Sequence, residues 1–296
     1  TSTDAAEMIC KRFKIDQVRF TNSGTESTMY AVRVARSASG KMGILKVEGG
    51  YHGSYDPFVV SAKPPLDKAG DPEEPTAVMD SNLVPGDIYV VPYNNAPALE
   101  AMFEKNASKI ACFIVEPVLE NLAIILPDAG YLERVRELCD EYNVILIFDE
   151  VKTGLTAGAH GASVRLGVEP DLITLAKSIG GGVPLAAFGG KKKYMDFVTN
   201  GKMAHFGTFN GNPLAMAGVR AIDRLCSDQA LADAEALNQQ ALDRISEIID
   251  EYQLPAHTVG FGVKGCVTWS TTPVRNYRDY KATDFGIAEA HWLFAL

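Results

Sequence analysis

The fold is decided by two apolar runs, Val144-Ile145-Leu146-Ile147-Phe148-Asp149-Glu150-Val151 and Asp171-Leu172-Ile173-Thr174-Leu175-Ala176-Lys177-Ser178. Each run is almost continuously apolar until it reaches a charged side chain, and the triple glycine Gly180-Gly181-Gly182 follows the second run. Runs of this kind are typical of strands that are covered on both faces of a sheet. We therefore expect Asp149 and Lys177 to lie at the carboxyl ends of two buried strands.

The rest of the chain alternates strands with amphipathic helices. The predicted strands are Val18–Thr21, Gly43–Val47, Ile88–Val91, Ala111–Glu116, Val144–Asp149, Leu172–Ala176 and Ala186–Gly189. The predicted helices are Thr25–Ser37, Ala96–Lys105, Gly130–Tyr142, Pro213–Leu225 and Asp228–Tyr252. This alternation predicts an α/β fold with a mainly parallel sheet, helices on both of its faces and right-handed crossovers.

The pattern changes near residue 255. Pro255 and Gly260 follow the longest predicted helix, and alternating apolar residues over 263–269 indicate an antiparallel strand. We divide the chain into a large α/β domain, residues 1–254, and the beginning of a smaller α+β domain, residues 255–296. Because the chain starts inside a helical pattern and stops in an apolar stretch, we expect an N-terminal segment to be missing and the second domain to be truncated.

Residues 61–87 interrupt the alternation with a long segment that is rich in proline and glycine, including Pro85-Gly86. Loops of this length inside a compact domain are often lids or binding loops, and a simple surface excursion is the equal alternative.

Composition excludes several classes of protein. The 296 residues carry a formal net charge of −9, which argues against a nucleic-acid partner. The five cysteines are scattered and form no C-x-x-C pair, so a disulfide framework or a zinc site is not expected, and a reducing cytoplasm is the simplest location. No apolar run approaches the roughly 20 residues that span a bilayer, so no membrane partner is expected.

An amine and a carboxylate at the ends of two buried strands suit one cofactor, pyridoxal phosphate. Its aldehyde forms a Schiff base with a lysine such as Lys177, and an anion such as Asp149 keeps its ring nitrogen protonated. Two alternatives stay open: Lys177 extends from a strand end into solvent, or Asp149 and Glu150 bind a metal ion, although no histidine cluster lies near them in sequence. Asp149 and Glu150 cannot face the same way, so one should be functional and the other structural.

Asn22-Ser23-Gly24-Thr25-Glu26 joins a predicted strand to a predicted helix and forms a candidate phosphate site. Backbone N–H groups at a helix start attract anions, Gly24 permits close approach, and Ser23 or Thr25 can add a hydroxyl donor. The alternative is an ordinary helix cap. Thr208, which follows Gly207, offers a second hydroxyl and amide for a phosphate.

Two further segments could contact the cofactor ring. Tyr51 follows two glycines and could cover a flat ring, whereas a glycine turn with a partly buried tyrosine is the alternative. His52 could titrate near neutral pH or serve as a hydrogen-bonded scaffold residue. Glu116 ends a predicted strand, where ligands of open α/β sheets gather, and Asn121 could bind a phenolic oxygen. A structural role for Glu116, as an acceptor for a nearby backbone N–H, is equally open.

Together these segments resemble the class III pyridoxal-phosphate-dependent aminotransferases of fold type I, and most closely their glutamate-1-semialdehyde 2,1-aminomutase-like branch. The matching stretches are Arg19–Glu26, Gly50–Gly53, Val115–Val118, Phe148–Gly154, Ala176–Gly182, Asn210–Ala215 and Pro273–Tyr277. They cover nearly the whole chain in the family's order.

The resemblance implies a role for each matching residue. Lys177 would form the Schiff base and shuttle the proton, Asp149 would pair with the pyridine nitrogen, and Val151 and Tyr51 would cover the two ring faces. Residues 61–87 match a mobile active-site segment. The candidate catalytic residues are Lys177, Asp149 and Tyr51. The candidate cofactor-binding residues are Ser23, Gly24, Thr25, Tyr51, His52, Glu116, Asn121, Asp149, Val151, Lys177 and Thr208.

The resemblance also implies a homodimer, in which Thr208 reaches the phosphate of the neighbouring subunit. The expected enzyme moves an amino group between a small-molecule amino donor and a carbonyl acceptor through Schiff-base and pyridoxamine intermediates. An intramolecular glutamate-1-semialdehyde 2,1-aminomutase is the first alternative; a racemase, a decarboxylase and a scaffold without catalysis are the others. Many relatives carry an arginine soon after the Asp-Glu-Val motif, and Thr153–Ala157 has none.

Overall fold

Seven strands form one sheet in the computed structural model, which describes residues 1–79 and 86–295. The strands are β1 (Gln17–Thr21), β2 (Gly43–Val47), β3 (Ile88–Val91), β4 (Ile110–Val115), β5 (Ile145–Asp149), β6 (Leu172–Leu175) and β7 (Ala186–Gly190). Their spatial order is β1-β7-β6-β5-β4-β2-β3. Only β7 runs against the others, because its pairings with β1 and β6 are antiparallel while the other four pairings are parallel. The predicted mainly parallel sheet is confirmed.

The helices are α1 (Ser2–Phe13), α2 (Gly24–Ser39), α3 (Asp56–Val59), α4 (Ala96–Asn106), α5 (Tyr131–Glu141), α6 (Thr153–Thr156), α7 (Gly161–Leu166), α8 (Lys192–Thr199), α9 (Pro213–Leu225), α10 (Asp228–Glu251), α11 (Tyr277–Lys281) and α12 (Phe285–Ala295). Two 3₁₀ turns span Glu120–Leu122 and Lys177–Gly180. The five predicted helices agree with α2, α4, α5, α9 and α10 to within two residues. Helices α3, α6, α7, α8, α11 and α12 were not predicted. None of the helices in the described ranges combines the length and the apolar character that crossing a bilayer requires.

Helix α2 shows how the sequence sets an element and its packing. Ser23 and Glu26 form a reciprocal capping box, and Gly40 ends the helix in the left-handed conformation. The apolar face of α2, which includes Val32 and Ala35, packs on one side of the sheet against alternate strand residues such as Ile147. Burying a side chain of that size contributes about 1.5–3 kcal/mol. This packing fixes the start of α2 at the carboxyl edge of the sheet.

The other side of the sheet is covered by α1, α4 and α5. Leu146 and Phe148 of β5 belong to that core, together with Phe103 of α4 and Val135 of α5. Successive residues of β5 therefore enter opposite cores, as expected for a strand that is covered on both faces.

A lysine side chain is buried within the sheet. Lys46 of β2 is fully buried, and its ammonium donates hydrogen bonds to the carbonyls of Phe58 (2.9 Å) and Val60 (2.8 Å). Burial lowers the pKa of Lys46 to about 7, and the negative charge of Glu116 opposes that shift. Lys46 thus ties the segment after α3 to the sheet.

A two-stranded antiparallel sheet, β8 (His257–Phe261) and β9 (Lys264–Thr268), packs on α10. Its turn approaches α6 closely: Gly262 has φ +60°, and a Cβ atom there would lie 2.0 Å from the Thr156 carbonyl oxygen. Only glycine fits that turn. The hairpin therefore reaches the carboxyl edge of the large sheet.

The long predicted loop is anchored by α11. The hydroxyl of Tyr277 donates to the Pro64 carbonyl (2.9 Å), and Arg278 binds both carboxylate oxygens of the buried Glu48 (3.0 and 3.1 Å). The same guanidinium donates to the Gly70 carbonyl (2.9 Å). Residues 80–85, which belong to the predicted loop 61–87, lie outside the described residues, as does Leu296.

Candidate active site

A cavity of about 520 Å³ opens at the carboxyl edge of the sheet. It contains ten of the eleven candidate residues, and Thr208 is the exception. The remaining lining residues are Asn22, Thr28, Gly53, Lys152, Ala176, Gly182, Val183, Pro184 and Leu185. Segments far apart in sequence meet here because the strand ends of a parallel sheet share one edge.

Asp149 is held in place by three protein groups. It is 4% exposed; its Oδ2 lies 2.8 Å from Nδ1 of His52, and its Oδ1 accepts from the Thr174 hydroxyl (3.0 Å) and the Val151 N–H (3.1 Å). A carboxylate only accepts, so Nδ1 of His52 carries the proton of that contact. Burial lowers the pKa of His52, and Asp149 opposes the shift. A neutral His52 therefore orients the Asp149 carboxylate.

Glu150 points away from the cavity. Its carboxylate accepts from the N–H groups of Ala162 (2.6 Å) and Ser163 (3.0 Å) at the start of α7. Burial raises the pKa of Glu150, and these hydrogen bonds oppose the rise. The structure thus places Asp149 in the cavity and Glu150 in the scaffold, the division that strand geometry predicts.

Glu116 joins two other candidate residues. It accepts from the Tyr51 N–H (3.2 Å) and from the side-chain amide of Asn121 (2.8 Å). Burial and the negative charge of Asp149 raise the pKa of Glu116 to about 7. Glu116 therefore has the structural part that its sequence position allowed, and the Asn121 amide keeps one more N–H donor for a ligand.

Lys177 begins the 3₁₀ turn directly after β6, with φ +51°. Residues other than glycine seldom adopt this conformation, and such backbone strain clusters at functional sites. The side chain is exposed, and the residue lines the cavity. The sequence predicted Lys177 at the end of a buried strand; the strand is buried, and the turn carries Lys177 out of the sheet.

The start of α2 forms one end of the cavity. The first intrahelical bond joins the Ser27 N–H to the Ser23 carbonyl, so the N–H groups of Gly24 and Thr25 precede the bonded part of the helix. Gly24 is tightly packed, since a Cβ atom there would lie 3.2 Å from Val151. The hydroxyl of Ser23 is engaged in the capping box. The candidate phosphate-binding N–H groups and the ordinary cap therefore occur together in one turn.

Tyr51 and Thr208 are the two most accessible of the remaining candidates. Tyr51 is 43% exposed, and it lines the cavity that Val151 also lines. Thr208 is exposed outside the cavity, between Phe206 (81% exposed) and Phe209 (70% exposed). Sequence reasoning missed Lys152, whose position directly after the Asp-Glu-Val motif was its only signal.

Within residues 1–79 and 86–295, no group of three or more histidine, cysteine, aspartate or glutamate side chains is arranged to hold a metal ion. The groups that converge on the cavity are instead an amine, the N–H donors at the start of α2 and an anchored carboxylate acceptor. These groups match the aldehyde, the phosphate and the ring nitrogen of pyridoxal phosphate, so the residues present fit that group.

Comparison with known proteins extends this result. The family model described as "Aminotransferase class-III" matches residues 1–281. A glutamate-1-semialdehyde 2,1-aminomutase of Francisella philomiragia is 42% identical over 250 residues, which cover 84% of this chain and 57% of that protein. The chain therefore spans a little more than half of the length of this curated relative.

Two solved structures share the fold. An omega-transaminase from Sphaerobacter thermophilus superposes with a TM-score of 0.89 at 32% identity, covering 94% of this chain and 65% of that one. A glutamate-1-semialdehyde-aminomutase from Pseudomonas aeruginosa, in complex with PMP, gives a TM-score of 0.86 at 26% identity, with coverages of 98% and 65%. Both similarities cover nearly the whole chain.

Proposed function

This chain belongs to the class-III aminotransferase family with the fold type I architecture, and we propose that it binds pyridoxal phosphate and transfers an amino group between a small-molecule amino donor and a carbonyl acceptor. One observation carries the proposal: Lys177, the anchored carboxylate of Asp149 and the start of α2 open on the same cavity. The activity is proposed for the whole protein, because this chain matches only part of the length of its relatives.

The cofactor, when bound, supplies an electrophilic aldehyde and a protonated ring that stabilises negative charge on the reacting carbon. Lys177 would hold the aldehyde and carry a proton to and from that carbon through its amine. Asp149 would hold the proton on the ring nitrogen. The N–H groups of Gly24 and Thr25 would bind the phosphate, where the positive end of the α2 dipole adds attraction.

The neighbours of Asp149 adapt it to this role. Its Oδ1 accepts two hydrogen bonds and its Oδ2 accepts the one from His52, so the side chain cannot rotate without losing partners. An oriented anion in a buried site acts more strongly than one in water. Asn121, which Glu116 orients, would donate to the phenolic oxygen of the cofactor.

We further propose that the working unit is a homodimer in which Thr208 contacts the cofactor of the neighbouring subunit. The support is local: Thr208 lies outside its own cavity, and the aromatic side chains of Phe206 and Phe209 beside it are exposed. Exposed aromatic clusters often mark protein interfaces. Sedimentation of the full-length holoenzyme should show a dimer, and a monomer with full activity would refute this proposal.

An intramolecular aminomutase is the second candidate. The 42% identical relative carries that name, whereas the omega-transaminase is the structure with the higher TM-score. Both reactions would move an amino group by way of the cofactor that Lys177, Asp149 and the start of α2 would hold, so the same residues would serve either one. The two differ in whether a second substrate accepts the amine.

The proposal is tested with the full-length protein purified in the presence of pyridoxal phosphate. It should be yellow, and borohydride reduction followed by peptide mass spectrometry should place the cofactor on Lys177 and not on Lys152, the other lysine that lines the cavity. A colourless protein without an adduct would overturn the proposal. Release of an oxo acid from an amino donor identifies transamination, whereas isomerisation without a second substrate identifies an aminomutase.

A further inference from the structure

A second lysine lies in the same cavity as Lys177. Lys152 directly precedes α6, and its backbone is fixed because the Thr156 hydroxyl donates to its carbonyl (2.6 Å). Its ammonium donates to the Glu120 carbonyl oxygen (2.9 Å). An ammonium has three N–H donors, so this contact uses one of them.

The carboxylate of Glu120, whose backbone carbonyl accepts from Lys152, is already paired with another lysine. The ammonium of Lys264, which β9 supplies, donates to Oε2 of Glu120 (2.5 Å). The ion pairs found within residues 1–79 and 86–295 do not include Lys152. Its charge is therefore held in place without a paired carboxylate.

The two carboxylates that line the cavity do not supply one. Asp149 is occupied by its three donors, and Glu116 accepts from Tyr51 and Asn121. Burial, together with the positive charges of Lys264 and Lys177, lowers the pKa of Lys152, while Glu116 and Glu120 raise it. An anion that enters the cavity would meet a positioned cation beside the reactive amine.

We propose that Lys152 binds a carboxylate of the substrate, so that the substrates are amino acids and oxo acids and not plain amines and ketones. A carboxylate would accept charge-assisted hydrogen bonds from the two remaining N–H donors of Lys152. Lys152 would then determine specificity, and Lys177 would remain the group that reacts. This inference rests on the proposed amino-transfer function.

The test uses full-length holoenzyme and pairs of amines that differ by a carboxylate. L-Alanine is compared with propan-2-amine, and 4-aminobutanoate with butan-1-amine, by following the loss of the cofactor's aldehyde absorbance. Calorimetry with propanoate and butanoate, which carry no amine, gives a second readout. The variants are Lys152→Met, Lys152→Arg and Lys11→Met, which removes an exposed lysine outside the cavity.

For Lys152→Met, the half-saturating concentration of the carboxylate-bearing amines should rise about 10- to 100-fold, as expected for the loss of a hydrogen bond to a charged group. Binding of propanoate or butanoate should weaken in parallel. The matched amines should react as with the wild type. Lys152→Arg should restore most of the carboxylate affinity, and Lys11→Met should behave like the wild type.

If Lys152→Met weakened the reaction of both members of each pair equally, the inference would be overturned. If the absorbance band of the cofactor shifted as well, Lys152 would be assigned to cofactor binding. Unchanged kinetics and unchanged carboxylate binding in Lys152→Met would overturn it as well. A wild type that forms the Lys177 adduct but reacts only with plain amines would refute the carboxylate subsite and leave the proposed function standing. Absence of the adduct would refute the proposed function itself.

Discussion

The floor of the cavity and its rim are built in opposite ways. We call the buried group of Asp149, His52, Thr174, Glu116 and Asn121 the floor, and Tyr51, Lys152 and Lys177 the rim. Every carboxylate oxygen of the floor accepts a hydrogen bond from the protein. On the rim, the ammonium of Lys152 has one protein acceptor, and Lys177 is exposed.

The difference follows from the cost of burying polar groups. A buried carboxylate without a partner destabilises the fold, so the protein itself supplies hydrogen bonds to both carboxylates of the floor. Within the described residues, Nε2 of His52 is buried without a hydrogen-bond partner. The rim contacts solvent and can leave its donors for a ligand. We therefore expect the rim to bind the ligand and the floor to orient it. Substitutions on the rim should mainly reduce activity, whereas substitutions in the floor should reduce stability as well.

Lys177→Ala should have the largest effect. We expect turnover to fall by at least about 10³-fold, because both the covalent contact and the proton carrier are lost. Stability should change by less than about 0.5 kcal/mol, since the side chain is exposed. Steady-state kinetics and urea unfolding measure the two quantities. An equal loss of turnover in Lys11→Met would show that the effect is not specific to the rim.

Asp149→Asn should combine a loss of activity with a loss of stability. The amide nitrogen would meet the N–H of His52 or force that histidine into its other tautomer, so we expect about 1–3 kcal/mol of destabilisation. Turnover should fall about 10²-fold, because a neutral amide does not hold the ring proton.

Glu150→Gln is the matched control for Asp149→Asn, since it alters the adjacent buried carboxylate outside the cavity. It should destabilise the protein without changing the cofactor's absorbance spectrum. If both variants reduced turnover equally at the same stability, Asp149 would have no special part in the floor.

Glu116→Gln should change the pH dependence of stability. The pKa of Glu116 is about 7 in the folded protein and 4.5 ordinarily, so between these values the folded state binds more protons than the unfolded state. The wild type therefore loses stability from this group as pH rises through that window. Relative to the wild type, Glu116→Gln should gain about 2 kcal/mol between pH 5 and 8. Urea unfolding across that range checks this, and a difference independent of pH would contradict it.

Tyr51→Phe should have the smallest effect, with turnover within about twofold of the wild type, because the ring is kept. Across the described ranges, the hydroxyl of Tyr51 makes no hydrogen bond, and only its backbone N–H is held, by Glu116. Tyr51→Ala removes the ring and should reduce cofactor affinity, measured by fluorescence titration. Equal cofactor affinity in Tyr51→Phe and Tyr51→Ala would show that the aromatic ring of Tyr51 does not cover the cofactor ring.

The strands could be predicted closely from the sequence. Gly43–Val47 and Ile88–Val91 were predicted with the observed bounds, because apolar runs end sharply at glycine or charged residues. The reversed direction of β7 could not be predicted, since Ala186–Gly190 is as apolar as its neighbours and its direction depends on pairing with β1 and β6. Helix α8 has only two buried residues, Met195 and Val198, and gave too weak a periodic signal.

The residues of the candidate site could be predicted from the sequence, whereas most of the contacts between them could not. Asp149, Lys177 and the start of α2 follow from their positions at strand ends. The hydrogen bond from the Tyr51 N–H to Glu116 joins residues 65 positions apart, and strand-end signals do not reveal such pairings. Lys46 reads as a polar residue within a strand, yet it is buried because two carbonyls of the α3 segment accept its hydrogen bonds.

Because α11 anchors the long loop, the loop can become fixed only late in the synthesis of the chain. Pro64 and Glu48 can form these contacts only after their partners have been made. Tyr277 is synthesised 213 residues after Pro64, and Arg278 is synthesised 230 residues after Glu48. At roughly 5–20 residues per second, the ribosome needs about 10–50 s to reach them. We expect protease to cleave within residues 61–79 of ribosome-bound chains that stop before Tyr277 and to spare that segment once α11 has emerged. Equal cleavage of the two lengths would mean that the loop is fixed without its last-made partners.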